Sequence, residues 1–178
     1  MSDFILLIRP HQWFKNFFIF LPLFFSGELF ITGKLTSSII TFIAFSFTAS
    51  AIYCFNDLLD APLDRIHPKK KERPIASGRV SKYQAILISL IFLALAVITC
   101  ACWGGAIELV YLLSIYLLLN LLYTLKLKQI PILDVFIIAF GFVLRLIAGA
   151  ISATVSVSPW IVVMTFLLAL FLAFAKRR

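Results

Sequence analysis

Six long apolar runs constrain the fold of this chain more than any other feature. They lie at approximately residues 14–33, 36–55, 83–103, 106–125, 131–151 and 158–175. A run of about twenty apolar residues is long enough for an α-helix to span a bilayer. The hydrophobic content of 62% and the mean hydropathy of +1.06 lie far outside the range of soluble globular proteins. The sequence therefore predicts an all-α polytopic membrane protein with six spans, forming a single transmembrane domain over residues 1–178.

The basic residues fall on one side of this six-span arrangement. Of the 16 Lys and Arg residues, 14 lie on the same side, Lys34 lies opposite, and Arg145 lies within a span. The positive-inside rule then places both termini and the inner loop 56–82 in the cytoplasm of a multi-pass protein of the cell (inner) membrane. This distribution accounts for the net charge of +8 without a nucleic-acid partner. Membrane lipid is the expected surrounding partner.

The segment that follows the second run carries three aspartates in helical register. Asp57, Asp60 and Asp64 stand at positions i, i+3 and i+7, so on a helix their directions agree within about 60°. Such carboxylates repel one another unless a positive charge lies among them. Mg²⁺ binds carboxylate oxygens and shares its remaining sites with substrate phosphates. The pattern predicts a Mg²⁺ site on these three residues, although a solvated loop with balanced charges is the alternative.

A basic stretch comes directly after the aspartates. It contains Arg65, Lys69, Lys70, Lys71 and Arg73. Lys-rich segments beside a membrane also fix topology and bind anionic lipid without any catalysis. The two arginines are the stronger candidates, because a guanidinium can form two parallel bonds to a phosphate. The aspartates could hold a metal, and the basic residues beside them could hold phosphate. Together they predict a site for a phosphorylated substrate at a membrane.

Two further charges lie within the fifth run. Asp134 and Arg145 are eleven residues apart, which places them within about 20° of the same helix face and about 16 Å apart in depth. A charge near mid-bilayer marks a cavity or a buried partner. The sequence leaves open whether Arg145 serves a site or forms a structural pair with an acid or carbonyl of another helix.

Several motifs together resemble the UbiA superfamily of intramembrane prenyltransferases. The principal one is N-D-x-x-D-x-x-x-D-R over residues 56–65, supported by R-P-I-A-S-G at 73–78 and by residues 123–128. Three others look most like the decaprenyl-phosphate phosphoribosyltransferase branch. They are R-P-x-Q-W-x-K-N at 9–16, D-R-x-H-P-x-K at 64–70, and the I-P-I-L-D-V-F…G-F-V-L-R-x-x-A-G-A run at 130–150.

This resemblance implies a helix bundle around a central cavity that opens to the cytoplasm and laterally to lipid. It also implies Mg²⁺, held with a phosphate-bearing substrate by two Asp-rich motifs. For the phosphoribosyl branch, the donor would be phosphoribosyl pyrophosphate and the acceptor a polyprenyl phosphate. Asp57, Asp60 and Asp64 would then hold Mg²⁺–pyrophosphate. The substrate-phosphate contacts implied for this chain are Asn56, Arg65, Lys69, Arg73 and Lys126, with Lys15, Tyr123 and Arg145 as further candidates.

The length of the chain departs from the family pattern. Members have about nine spans, and their second acidic motif follows the sixth. This sequence stops at Arg178, where that loop would begin. We therefore expect this chain alone to be a poor or inactive catalyst.

Two other functions are compatible with the same residues. A related enzyme would join a polyprenyl diphosphate to an aromatic acceptor, with Mg²⁺ on the diphosphate of the lipid. A truncated, catalytically inactive lipid-binding membrane protein could also retain these motifs. Mg²⁺-dependent pyrophosphate binding that requires Asp57 and Asp60 would separate this last function from the enzymes.

Overall fold

The computed structural model describes residues 2–102, 107–130 and 132–176, and all regular structure in these ranges is helical. The all-α prediction is therefore confirmed. The α-helices are α1 (Ser2–Ile8), α2 (Leu21–Phe25), α3 (Thr32–Asp64), α4 (Lys82–Cys102), α5 (Ile107–Leu125), α6 (Leu133–Ala153) and α7 (Pro159–Ala175). A 3-10 helix, Pro10–Phe20, connects α1 to α2, and short 3-10 turns cover Lys70–Glu72 and Leu127–Gln129.

Helices α3 to α6 are long and apolar enough to cross a membrane, and they correspond to the second to fifth predicted runs. Helix α7 has 17 residues, which is the lower limit for a span of about 17–25 residues. It corresponds to the sixth run. Residues 103, 106 and 131, at the ends of predicted runs, and the basic residues 177 and 178 lie outside the described residues.

The first predicted run, 14–33, does not form one continuous α-helix. Residues 14–25 divide between the 3-10 helix Pro10–Phe20 and the five-residue α2, residues 26–31 connect α2 to α3, and residues 32–33 begin α3. Pro10 suits the first helical position, because its ring fixes φ and its missing N–H has no intrahelical partner there. A 3-10 helix rises about 2.0 Å per residue and an α-helix 1.5 Å, so these two segments cover roughly 30 Å. That length still matches the hydrocarbon thickness of a bilayer.

The inner loop expected at 56–82 is shorter in the structure. Helix α3 continues through the acidic segment to Asp64, and the connection to α4 covers residues 65–81. A helix of 33 residues is about 50 Å long, whereas the hydrocarbon core is about 30 Å thick. The end of α3 that carries the aspartates therefore projects beyond a hydrocarbon layer centred on its apolar part.

Helices α3 and α6 form the interior, since more than half of each apolar stretch is buried, whereas α4 and α5 are mostly exposed. A buried cluster packs the 65–81 connection against α1, α3 and α4. It includes Leu7, Ala61, Ile75 and Val80. Because Ile75 and Val80 are almost completely buried, this cluster fixes the backbone of the connection beside the acidic end of α3.

The 3-10 helix and α6 approach each other closely at Gly149. A Cβ atom on this glycine would lie 1.9 Å from the carbonyl oxygen of Ile19. No real Cβ atom fits at that distance from a backbone oxygen, so the contact requires glycine. This approach brings the 3-10 helix against the interior face of α6.

Candidate functional site

Two of the three aspartates share one arginine. Nη1 of Arg73 donates to Oδ1 of Asp57 at 3.3 Å and to Oδ2 of Asp64 at 2.7 Å. These two carboxylate oxygens are therefore no more than about 6 Å apart. Residues seven apart on an α-helix differ by only about 20° in direction, which explains why Asp57 and Asp64 meet. We call these two residues the acid pair.

A second arginine, Arg9, contacts the acid pair from the start of the chain. Its Nη2 atom lies 2.7 Å from Oδ1 of Asp57. The guanidinium also lies over the Tyr53 ring, with its Cζ atom 5.3 Å from the ring centroid. The backbone of Arg9 is in the left-handed region, with φ of 51°. Residues other than glycine rarely adopt this conformation, and such strain concentrates at functional sites.

The two arginines lie outside the carboxylates that they contact. Asp57 and Asp64 are 3% and 4% exposed, whereas the side chains of Arg9 and Arg73 are 22% and 26% exposed. We call Arg9 and Arg73 the arginine cover. Two positive charges therefore separate the acid pair from solvent.

Asp60 belongs to a different contact. Its Oδ1 atom lies 2.5 Å from Nζ of Lys128, in the turn after α5. On the helix, Asp60 points about 60° away from Asp57. Asn56 also faces this side, where its Oδ1 atom accepts a hydrogen bond from the Thr124 hydroxyl. The structure thus brings Asp57 and Asp64 together and directs Asp60 towards the α5 side.

The acid pair offers a cation two carboxylates instead of the three that the sequence predicts. Among the described residues, no three His, Cys, Asp or Glu side chains are close enough to hold a metal. However, Oδ2 of Asp57 is buried and has no hydrogen-bond partner there. Mg²⁺ commonly uses only one or two carboxylates, with waters and substrate phosphates as its other ligands. Asp57 and Asp64 could therefore hold Mg²⁺, and Asp60 as a third ligand stays a prediction.

The other predicted phosphate ligands fall into two groups. Arg65, Lys69 and Lys126 are exposed, and their side chains form no ion pair with the described residues, so they are accessible to a ligand. Lys15 and Tyr123 are partly buried. Sequence reasoning did not include Arg9 or Lys128 among the site residues, although Arg9 opens the R-P-x-Q-W-x-K-N motif.

Arg145 lies in a separate buried cluster, which we call the Arg145 cluster. Its Nε donates to Oδ1 of Asn16 at 2.7 Å, Nη1 to the Gly141 carbonyl at 2.8 Å, and Nη2 to the Tyr116 hydroxyl at 2.6 Å. Asn16 in turn donates to the Ser46 hydroxyl at 3.0 Å. Asp134 is also buried, in the first turn of α6. Arg145 thus connects α6 with α5 and the 3-10 helix through neutral groups.

Two known proteins are similar to this chain over almost its whole length. An uncharacterized protein of Sinorhizobium fredii, y4nM, is 36% identical over 177 residues, which are 99% of this chain and 34% of that protein. The decaprenyl-phosphate phosphoribosyltransferase of Mycolicibacterium smegmatis is 34% identical over 182 residues, covering 99% of this chain and 56% of that enzyme. The chain thus spans about half the length of the curated relatives it matches, or less.

Comparisons with a solved structure and with a family model agree with the similarity to these relatives. A UbiA homolog from Archaeoglobus fulgidus, solved with DMAPP and Mg²⁺, superposes with a TM-score of 0.80 at 24% identity. The match covers 95% of this chain and 60% of the homolog. The model of the UbiA prenyltransferase family matches residues 17–177. This chain, with its Asp-bearing helix α3, therefore belongs to the UbiA prenyltransferase family.

Proposed function

We propose that this protein is a membrane-embedded, Mg²⁺-dependent transferase that moves 5-phosphoribose from phosphoribosyl pyrophosphate to a polyprenyl phosphate. The observation that carries this proposal is the buried acid pair beneath the arginine cover, in which one carboxylate oxygen of Asp57 has no hydrogen-bond partner among the described residues. Carboxylates that could hold a cation lie beside guanidiniums that could hold phosphate. The M. smegmatis relative supports the choice of donor and acceptor. The Mg²⁺ in the A. fulgidus homolog supports the metal.

The proposed reaction needs charge stabilisation more than a strong base. A phosphate oxygen of the lipid forms a bond to C1 of the ribose, and the bond from C1 to the pyrophosphate oxygen breaks. The electron pair leaves with the pyrophosphate. Mg²⁺, when bound, would neutralise charge on this leaving group. Because the lipid phosphate is already anionic, no side chain has to remove a proton from it.

The role of each residue in this reaction would depend on how deeply it is buried. Asp57 and Asp64 hold the cation, while Arg9 and Arg73 donate hydrogen bonds to the departing phosphates, where negative charge develops. The exposed Arg65, Lys69 and Lys126 attract the anionic donor from solution. The roles assigned to Asn56, Lys15, Tyr123 and Arg145 stay predictions.

We further propose that the acid-bearing end of α3 faces the cytoplasm, at the inner membrane. Basic residues are concentrated at this end, as the positive-inside rule requires. A water-soluble donor would then enter from the cytoplasm, and the lipid acceptor would come from the bilayer. Each substrate reaches the acid pair from the phase in which it is soluble.

The test is transfer of labelled ribose into lipid by the full chain in nanodiscs. Ribose-labelled phosphoribosyl pyrophosphate and polyprenyl phosphate are incubated with and without Mg²⁺, and label is counted in the organic phase. We expect slow but Mg²⁺-dependent transfer, which Asp57→Asn should remove. Asp3→Asn is the matched control, because Asp3 forms an exposed ion pair with Arg79 outside the acid pair, and it should leave transfer unchanged.

Other outcomes separate the alternative functions. Mg²⁺-dependent transfer of a prenyl group from polyprenyl diphosphate to a hydroxybenzoate-like acceptor, without ribose transfer, would favour the aromatic prenyltransferase. Absence of all transfer together with absence of Mg²⁺-dependent pyrophosphate binding would favour a non-catalytic lipid-binding protein. Ribose transfer that is indifferent to Asp57→Asn would contradict the assignment of the site.

A further inference from the structure

The acid pair and the arginine cover form a group with balanced charge. Two carboxylates carry a formal charge of −2, and two guanidiniums carry +2. Oδ1 of Asp57 is contacted by both arginines, and Oδ2 of Asp64 by Arg73. Because the arginines are the more exposed members, a cation that approaches from solvent meets positive charge first. A metal alone is therefore opposed by the residues that cover its ligands.

A diphosphate changes this balance. If a divalent cation takes the carboxylates, the guanidiniums lose partners that are almost completely buried. Guanidinium and phosphate form strong, often bidentate hydrogen bonds. A diphosphate that arrives with the metal supplies new partners for the arginines and adds negative charge that offsets the metal. The exchange of partners then leaves each charged group with an opposite charge.

The two arginines are attached so that their side chains can move while their backbones stay fixed. Arg73 is next to the buried 74–76 segment of the connection. Arg9 follows Ile8, whose carbonyl accepts a hydrogen bond from the Ser50 hydroxyl of α3 at 2.9 Å. Both side chains are long and partly exposed. A change of rotamer is therefore sufficient for the exchange.

We propose that Arg9 and Arg73 are exchangeable counter-ions, which release Asp57 and Asp64 to a divalent cation when a diphosphate group binds the guanidiniums. This inference rests on the proposed function and adds to it a role for Arg9 and an order of events. The cation and the diphosphate then bind with positive coupling, each increasing the affinity for the other by the same factor. The cation alone binds weakly.

Binding measurements on the full chain in detergent test this coupling. Mn²⁺, detected by electron paramagnetic resonance, serves as the cation, and inorganic pyrophosphate serves as the diphosphate. In Arg9→Gln we expect the affinity for Mn²⁺ alone to rise about 3- to 10-fold. We expect the affinity for pyrophosphate at saturating Mn²⁺ to fall about 10-fold. The coupling factor, which for allosteric pairs is typically about 5- to 150-fold, should therefore decrease.

Control variants separate this exchange from a general effect of charge. Arg79→Gln removes the same charge at the same end of the molecule, where Arg79 pairs with Asp3 at 3.1 Å. It should change neither affinity by more than about twofold, because that pair is partly exposed and screened by salt, and the other bond of Arg79, to the Glu72 carbonyl at 2.6 Å, does not involve the acid pair. Arg9→Lys keeps the charge and should retain part of the coupling. Arg9→Asn guards against misfolding, because asparagine tolerates the left-handed backbone of this position.

The outcomes distinguish the inference from the proposed function. If Arg9→Gln and Arg9→Asn leave the Mn²⁺ affinity and the coupling factor unchanged, the counter-ion inference is overturned. If the wild-type chain binds Mn²⁺ and pyrophosphate independently, the inference fails while the proposed function stands. If the wild-type chain binds neither, both fail.

Discussion

The acid pair and the Arg145 cluster are two solutions to placing charge in an apolar helix bundle. At the acid pair, opposite charges meet at the end of α3, and the cations are partly exposed. At the Arg145 cluster, one cation that is 6% exposed donates to an amide, a carbonyl and a hydroxyl. Under our proposal, this difference reflects two purposes. Charges with exposed, charged partners can exchange them for a ligand, whereas a buried charge held by neutral groups stabilises one arrangement of helices.

Packing supports this distinction. The bonds of Arg145 connect α6 to Tyr116 of α5 and to Asn16 of the 3-10 helix. A charge inside a membrane protein is costly unless it faces the bundle interior and has partners. Separation of these segments would expose the charge to lipid, so the cluster opposes separation. The arginine cover also joins other segments to α3, but its side chains are 22% and 26% exposed, so it buries less charge than the Arg145 cluster does.

The largest expected effect is a difference between Asp64 and Asp60 in Mg²⁺-dependent pyrophosphate binding. Asp64→Asn should weaken Mg²⁺-dependent pyrophosphate binding by at least about 100-fold, because loss of an outer-shell partner of a metal ligand alone costs about 10- to 100-fold. Asp60→Asn should weaken it by less than about 10-fold, because Asp60 faces Lys128 instead of the acid pair. Isothermal titration with both variants is the measurement. Equal losses of binding in the two variants would support the site of three aspartates that the sequence predicts. They would contradict the separation of Asp60 from the acid pair.

Much of the difference between the acid pair and the Arg145 cluster can be predicted from the sequence by helix geometry. The spacing of Asp57, Asp60 and Asp64 on one helix already contains the separation that the structure shows, since the first and third differ by about 20° and the second by about 60°. The depth of Arg145 and its need for buried partners also follow from its position in an apolar run. The helical fold likewise follows from the runs themselves.

The partners of these residues do not follow from spacing. Arg9 and Lys128 are 48 and 68 residues from the aspartates that they contact, and a period of 3.6 residues carries no information over such a separation. The 3-10 geometry of Pro10–Phe20 was also missed, because an apolar run specifies burial in lipid but not the number of residues per turn. The closeness of Gly149 to Ile19 depends on that geometry.

The next effect concerns how closely the 3-10 helix and α6 pack. Gly149→Ala places a Cβ atom 1.9 Å from the Ile19 carbonyl oxygen, so the two segments must move apart. Forced overpacking costs about 1–3 kcal/mol, and we expect the upper end of this range because the obstacle is backbone. Gly149 lies one turn after Arg145, so the Arg145–Asn16 bond should also weaken. The loss of stability is measured by unfolding in detergent, with tryptophan fluorescence as the signal.

Gly33→Ala is the matched control for this prediction. Gly33 lies in the first turn of α3, and a Cβ atom there meets no atom of the described residues within 4 Å. Alanine is the better helix former by up to about 1 kcal/mol, so stability should stay the same or rise. If Gly149→Ala were as well tolerated as Gly33→Ala, the close approach would not contribute to holding the Arg145 cluster.

The smallest expected effect tests the Arg145 cluster itself. Arg145→Met removes two hydrogen bonds between segments, to Asn16 and Tyr116, while retaining an unbranched side chain. Hydrogen bonds between membrane helices average about 0.6 kcal/mol and reach about 1.7 kcal/mol, so the free energy of unfolding should fall by about 1–3 kcal/mol. The affinity for Mg²⁺–pyrophosphate should fall by less than 10-fold. Unfolding and titration of the same preparation provide both values.

Arg79→Met makes the same chemical change at an exposed ion pair and should cost less than about 1 kcal/mol. For Arg145→Met, the loss of unfolding free energy is compared with the loss of affinity for Mg²⁺–pyrophosphate. A large loss of pyrophosphate affinity with unchanged stability would assign Arg145 to phosphate binding. The two charged clusters would then both contribute to one anion site.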